Sequence, residues 1–286
     1  MIMNSNTGVR VMFFSKLAIS HIILIALLCT LLTANLMAKS LGDPFDGDKL
    51  QNPEWKWKSK RVEGEEPKKW DVGKTKKGWL HIDAAPNRNL WADDTTNRLY
   101  HEHSGDFDVE THVFMEYATN SIVSGVVALS ETTKDGKGRK PEWVTMKLWG
   151  RGGDAILQYQ VREGGINNEA PGFKPPANKP MDVYIRLARE GKVFTTWWKK
   201  EEKDDWLEVK PTKTLDLKDP IEIGIYAGNC EGAGTGDIQY EYFKDNLEPF
   251  AVSPEQKLPI SWGGLSRADS KKIDKANDLC LCGLLV

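Results

Sequence analysis

The stretch VYIRLAREGKVFTTWWKK, residues 183–200, sets two short alternating runs on either side of Gly191. Glycine adopts the positive φ of a tight turn without steric cost, so the two runs read as the arms of a β-hairpin. Successive strand side chains point to opposite faces. In the second arm Phe194, Thr196 and Trp198 therefore share one face, and Val193, Thr195 and Trp197 share the other. A sheet with one dry side needs only one apolar face, and here both are apolar. One assignment sends Trp198 with Phe194 into the core and leaves Trp197 facing a groove. The opposite assignment stays open at this point.

Outward from this hairpin the pattern repeats. GWLHIDA (78–84) puts Leu80 and Ile82 on one side, and DFDVETHVFMEY (106–117) does the same with Phe107, Val109, Val113 and Met115. SIVSGVVALS (121–130) is apolar enough for a central strand, while IEIGIYAG (221–228) and GDIQYEYFKD (236–245) close the series. Gly, Pro, Asn and Asp separate the runs, and helical periodicity is almost absent, which is the signature of an all-β sandwich or barrel.

The sandwich is expected over residues 41–250. Before it, Arg10 and Lys16 precede the apolar run LAISHIILIALLCTLLTANLMA (17–38), so residues 1–38 read as a signal peptide or a membrane anchor. Leu36 and Ala38 stand at the −3 and −1 positions of a cleavage site, and Cys29 lacks the small preceding residue of a lipoprotein signal. Export follows from either reading, placing the protein outside the cell, in the periplasm or on the envelope, with membrane contact only through an uncleaved N-terminal segment. After residue 250 the pattern collapses into a tail, 251–286, whose SRADSKKIDKAND stretch (266–278) is expected to be partly disordered. Cys230, Cys280 and Cys282 form no even framework, so a bridge from Cys230 to the tail and a free Cys230 both stay open.

Lys+Arg 39 against Asp+Glu 41 gives a net charge of −2 over 286 residues, with no basic block, which argues against nucleic acid as a partner. The 11 Trp draw more attention, because indole rings combine a large apolar face with one polar handle. In EWVTMKLWG (142–150), Val144, Met146 and Leu148 form the core side, leaving Trp143, Thr145, Lys147 and Trp149 pointing outward. AILQYQV adds Gln158 and Gln160, and VYIRLAR adds Tyr184 and Arg186. Pyranose C–H faces stack on indoles while amides and cations bond the hydroxyls, so Trp143, Lys147, Trp149, Gln158, Tyr184, Arg186 and Trp197 are expected to form one glycan platform. The competing reading packs the rings beneath loops, the tail or a protein partner.

Other clusters are weighed in the same way. Asp106, Asp108 and Glu110 alternate at roughly 6.6 Å, near enough to the roughly 5 to 5.5 Å of a retaining hydrolase for side-chain bending to close the gap. Because all three lie in a charged stretch, a solvated face is the preferred reading of them. His101 and His103 share a strand face, with His81 and His112 as only remote helpers, so no metal site is assigned. Asp43, Asp46 and Asp48 in DPFDGD are oxygen donors that a structural calcium could use, although a turn uses such residues anyway. NCEGAGTGD (229–237) precedes a strand and reads as a turn rather than a nucleotide loop.

DPFDGDKLQNPEWKWKS (43–59), KKWDVGKTKKGWLHI (68–82), LYHEHSGDFDVETHV (99–113), the 183–200 hairpin and the closing IEIGIYAGN and GDIQYEYFKD resemble, in that order, the C-terminal β-sandwich of family 43 β-xylosidases. They are also similar to an uncharacterised bacterial relative in the concanavalin A-like superfamily. The resemblance covers about residues 43–245 and implies a jelly-roll sandwich of two antiparallel sheets, one of them concave. It also implies that catalytic acids belong to a separate propeller domain, for which this chain has no room, so no catalytic residue is carried over. The expectation is an exported, non-catalytic carbohydrate-binding module for a polysaccharide or glycoconjugate, with no cofactor. The alternatives are a cell-envelope protein-interaction module and, second, a glycoside hydrolase using Asp106, Asp108 and Glu110.

Overall fold

A computed structural model describes residues 40–250 except 92–93, 118–119, 135–140, 152–153, 165, 170–179 and 231–235. The N-terminal segment, the tail and Cys280 and Cys282, with the expectations attached to them, lie outside the described residues.

Among the described residues every regular element is a strand: β1 (Lys56–Ser59), β2 (Val62–Glu63), β3 (Trp70–Val72), β4 (Leu80–Asp83), β5 (Asn97–His103), β6 (Phe107–Tyr117), β7 (Asn120–Lys134) and β8 (Pro141–Arg151). There follow β9 (Asp154–Glu163), β10 (Ile166–Glu169), β11 (Met181–Glu190), β12 (Val193–Lys199), β13 (Leu207–Thr214), β14 (Ile221–Asn229), β15 (Gly236–Tyr240) and β16 (Lys244–Asp245). The first sheet runs β10-β9-β8-β7-β14-β5-β1-β2, and the second runs β13-β12-β11-β6-β15-β4-β3 with β16 against β6. Neighbours within each sheet are antiparallel.

The two sheets stack through one core. Val126 and Ala128 of β7, Val144, Met146 and Leu148 of β8, and Ile223 and Ile225 of β14 meet Val109, Val113 and Met115 of β6 and Val183, Ile185 and Leu187 of β11. Each is fully buried, and a side chain of this size contributes roughly 1.5 to 3 kcal/mol when taken out of water. The alternation read from the sequence thus selects the inward residues of β6, β8 and β14 correctly.

The hairpin of β11 and β12 pairs Ile185 with Trp198, Arg186 with Trp197 and Glu190 with Val193, leaving Gly191 and Lys192 as a two-residue turn. Gly191 has φ 58, and Lys192 is not among the residues of positive φ, which is the pattern of a type II′ turn. Trp198 packs against the core beside the buried Phe194, whereas Trp197 stands on the outward face of the second sheet.

Asp43 joins the two ends of the sandwich. Its backbone exchanges hydrogen bonds with Phe243, the Asp43 N–H donating at 2.7 Å and the Phe243 N–H donating back at 2.8 Å. Its buried carboxylate accepts from the N–H groups of Phe45 (2.9 Å), Gln51 (2.8 Å) and Asn52 (2.9 Å) and from Trp55 Nε1 (3.0 Å). Burial pushes this carboxyl up, and the donors pull in the other direction. Its oxygens are thereby committed to holding the turn, not directed toward a cation. Leu41 N–H donates to Asp245 Oδ2 at 3.2 Å, extending the seam by one more residue pair.

Candidate functional site

The seven residues expected to form one platform are divided between two faces. Trp143, Lys147, Trp149 and Gln158 stand on the outward side of the first sheet, and Tyr184, Arg186 and Trp197 stand on the outward side of the second. Strand alternation identifies an outward residue without identifying the sheet to which its strand belongs. The single-platform expectation is corrected for that reason.

On the first sheet, the outward row is as dry as the inward one. Trp143 is 0% exposed and clusters with Val123, Val127, Leu129, Tyr226 and Leu90. Leu90 comes from the connection between β4 and β5, which crosses this face. Arg88 N–H donates to the Asn229 carbonyl at 2.8 Å, and Arg162 Nη1 donates to the Trp91 carbonyl at 3.0 Å. Thr145 donates to the Val126 carbonyl at 2.7 Å and lies 3.1 Å from the Tyr226 hydroxyl. Lys147, Gln158 and Gln160 are buried, and Trp149 is half-buried, with Lys147 Nζ 4.7 Å from its ring centroid. Toward β1 the same face carries a buried ionic chain. Arg98 donates to Asp94 and to Glu222, both at 2.6 Å, and Lys58 reaches Glu222 and, at 3.1 Å, Glu131. Trp143, Lys147 and Gln158 are therefore interior residues, and stacking a sugar on Trp143 would require removing that cover. A signal was present in SIVSGVVALS, where Val123, Val127 and Leu129 supply an apolar outward row beside Trp143.

The second sheet presents a different surface. Lys76 Nζ lies 3.2 Å over the Trp79 ring, and Trp79 meets His112 edge-on at 5.0 Å. His112 stacks on Tyr184 at 4.0 Å and 7°. Lys199 lies over Tyr184 at 5.1 Å and over Trp206 at 4.8 Å, and Arg186 lies over Trp206 at 5.9 Å and Trp197 at 4.5 Å. Cations and rings thus pack together from the β3–β4 connection over β6 and β11 to the β12–β13 connection, these lysines and Arg186 each lying over an aromatic ring. Burial pushes the Tyr184 phenol up to about 12, which keeps its O–H protonated.

The acids of β6 face the same way. Arg186 grips Asp108 in bidentate fashion, through Nε at 2.6 Å and through Nη2, and this raises the guanidinium pKa still further. Asn246 Nδ2 bridges Asp108 at 3.2 Å and Glu110 at 3.1 Å. Glu110 also accepts from Tyr242 and Lys244, each at 3.3 Å. Asp106 accepts from the Gly191 N–H at 2.7 Å. Asp108 and Glu110 are counter-ions within a ladder, with their oxygens accepting from protein donors. None of these pairings was visible from spacing, because Tyr242, Lys244 and Asn246 follow Glu110 by more than a hundred residues.

The histidines are occupied in the same way. His112 sets Nδ1 2.6 Å from Glu241 and Nε2 2.7 Å from Asp182, His101 lies 3.8 Å from Trp55 ring to ring, and His103 Nε2 donates to the Asp106 carbonyl at 2.8 Å. Among the described residues no group of three or more His, Cys, Asp or Glu is placed to hold a metal ion.

One cleft opens on this face. It encloses about 480 Å³ and is lined by Asp106, Asp108, Arg186, Thr195 and Trp197, with Val193 and Leu247 at its rim. Two of the seven expected residues, Arg186 and Trp197, are thus brought together at an accessible site.

No protein-family model matches the chain, and no curated protein sequence matches it. Solved structures do. A GH43 protein of Bacillus licheniformis is similar at 13% identity and TM-score 0.56, over 72% of this chain and 39% of its own. A xylan β-1,4-xylosidase of Bacillus halodurans is similar at 18% identity and TM-score 0.51, over 72% of this chain and 38% of its own. A functionally unknown protein of Saccharomyces cerevisiae is similar at 16% identity and TM-score 0.53, over 69% of this chain and 98% of its own. The chain spans well under half the length of these GH43 proteins, so the likeness is one of fold over a part of them. At that level this all-β sandwich resembles GH43 β-xylosidase structures, whose C-terminal domain is a β-sandwich.

Proposed function

We propose that the protein is an exported, non-catalytic module that binds carbohydrate in the cleft beside Trp197. The observation that carries this reading is the composition of that 480 Å³ cleft, where a half-buried indole lies among the guanidinium of Arg186, the hydroxyl of Thr195 and the carboxylate of Asp106. An aromatic ring flanked by fixed hydrogen-bonding groups suits a pyranose, which offers C–H bonds on its face and hydroxyls at its rim. The xylan-acting name of a structural neighbour lends support at the level of fold alone. Export rests on the basic-then-apolar character of residues 1–38. A second reading, docking of an envelope protein, draws on the exposed Val193 and Leu247 at the cleft rim.

One experiment addresses the whole proposal. The protein is recovered from the medium or envelope of an exporting host, its N-terminus is sequenced, and its tryptophan fluorescence is titrated with a broad oligosaccharide panel. Saturable quenching that weakens roughly tenfold or more in Trp197→Ala is expected, in line with the loss of one stacked ring and its contacts. Silence across the panel, with a protein co-purifying instead, would transfer support to the docking reading.

A further inference from the structure

The geometry points to a linear, uncharged oligosaccharide as the ligand, lying along a track longer than the Trp197 cleft; this rests on the carbohydrate reading above. A second cleft, also of about 480 Å³, opens at the end of the sandwich where β5 passes into β6. Its lining includes Lys56, His101, Glu102 and Asp245, and it shares Asp106, Phe107 and Leu247 with the first cleft. Three common residues make the two clefts neighbours, the exposed Leu247 among them. A compact ligand needs one such cavity, whereas a chain molecule gains contacts from both.

Charge selects the kind of chain. Arg186 is held by Asp108, Arg189 by Asp219 at 2.5 Å, and Lys56 by Glu102 at 2.8 Å. Every lysine and arginine in the described lining of either cleft therefore already has a carboxylate. An acidic sugar would have to displace one of these partners. A cationic sugar gains little in return. Glu102 and Asp108 are paired with Lys56 and Arg186, Asp245 already accepts from the N–H groups of Leu41, Leu247 and Glu248, Asp106 accepts from Gly191, and Glu54, Glu190 and Glu248 are solvent-exposed and well screened. Hydroxyl groups, by contrast, can add a hydrogen bond to a carboxylate or guanidinium that keeps its existing partner.

The test is calorimetric titration of the full chain with neutral xylo- and cello-oligosaccharides from two to six units, with oligogalacturonates, and with chitosan oligomers, at low and high salt. Affinity for the neutral series is expected to rise roughly tenfold from disaccharide to hexasaccharide and to change less than about twofold with salt. Asp219→Asn and Asp108→Asn, each releasing one arginine, are expected to raise oligogalacturonate affinity roughly tenfold over the parent. The parent panel stands without the variants should either fail to fold. Tighter binding of a charged oligomer than of the neutral one of equal length, or a neutral series flat with length, overturns this inference and leaves carbohydrate binding in place. Failure of every sugar to bind removes both.

Discussion

His81 stands on the outward side of β4 with Nε2 2.8 Å from Asp237 and Nδ1 3.4 Å from Asp71. The hydrogen bond to Asp237, with the charge of both carboxylates behind it, raises the His81 pKa above its ordinary 6.5. A histidine raised on folding contributes stability that is complete below its unfolded value and is lost as pH rises through the folded value. The same bond lowers the Asp237 pKa, so in acid that carboxylate loses its contribution in turn. Denaturant titrations of the parent and His81→Gln are therefore expected to differ most near pH 6 and to converge above the folded His81 pKa. A gap that stays constant to pH 9 would show that His81 acts through packing alone. Parity along a strand put Trp197 and Trp198 on opposite faces without deciding which faced out, and the structure decides it by packing Trp198 on the core and leaving Trp197 outward. Parity could not show that Arg186 lies over the Trp197 ring, since the guanidinium arrives from the neighbouring strand.

At the scale of the element, β8 shows how a strand buried on both sides differs from one that covers a core. Val144, Met146 and Leu148 form one dry side and Trp143 and Thr145 the other, with Trp143 Nε1 finding no hydrogen-bond partner among the described residues. Trp143→Ala is expected to cost roughly 3 to 5 kcal/mol in equilibrium unfolding, as for other large-to-small interior changes. Trp143→Phe removes the unsatisfied N–H while keeping most of the ring, and is expected to cost less than about 1.5 kcal/mol. If Trp143→Ala were as stable as the parent, the interior placement of this ring would be wrong. The inward residues of β6, β8 and β14 were legible because alternation is a local property of the chain. Closure of the outward row was not, because it depends on where the connection between β4 and β5 travels and which strands lie side by side. For the same reason Gln158 and Tyr184, both outward by parity, ended on opposite faces of the molecule.

At the scale of the whole molecule, an all-β sandwich followed from the succession of short alternating runs and the breaker residues between them, and the ordered motifs from DPFDGD to GDIQYEYFKD narrowed it further. The cleft was not legible. It is assembled from β6, β11 and β12 together with Leu247, which lies beyond the last strand, and only the folded sheet makes these neighbours. The seam at Asp43 also has a practical consequence. With residue 41 bonded to residue 245 and residue 43 to residue 243, the domain's two ends meet as adjacent rungs, and a short peptide suffices to splice them. A circular permutant spliced there and reopened between Glu202 and Lys203, both exposed, is expected to keep its far-ultraviolet spectrum and to melt within about 5 °C of the parent. Such a sandwich behaves as a cassette, able to sit inside a host loop without stretching either of its borders.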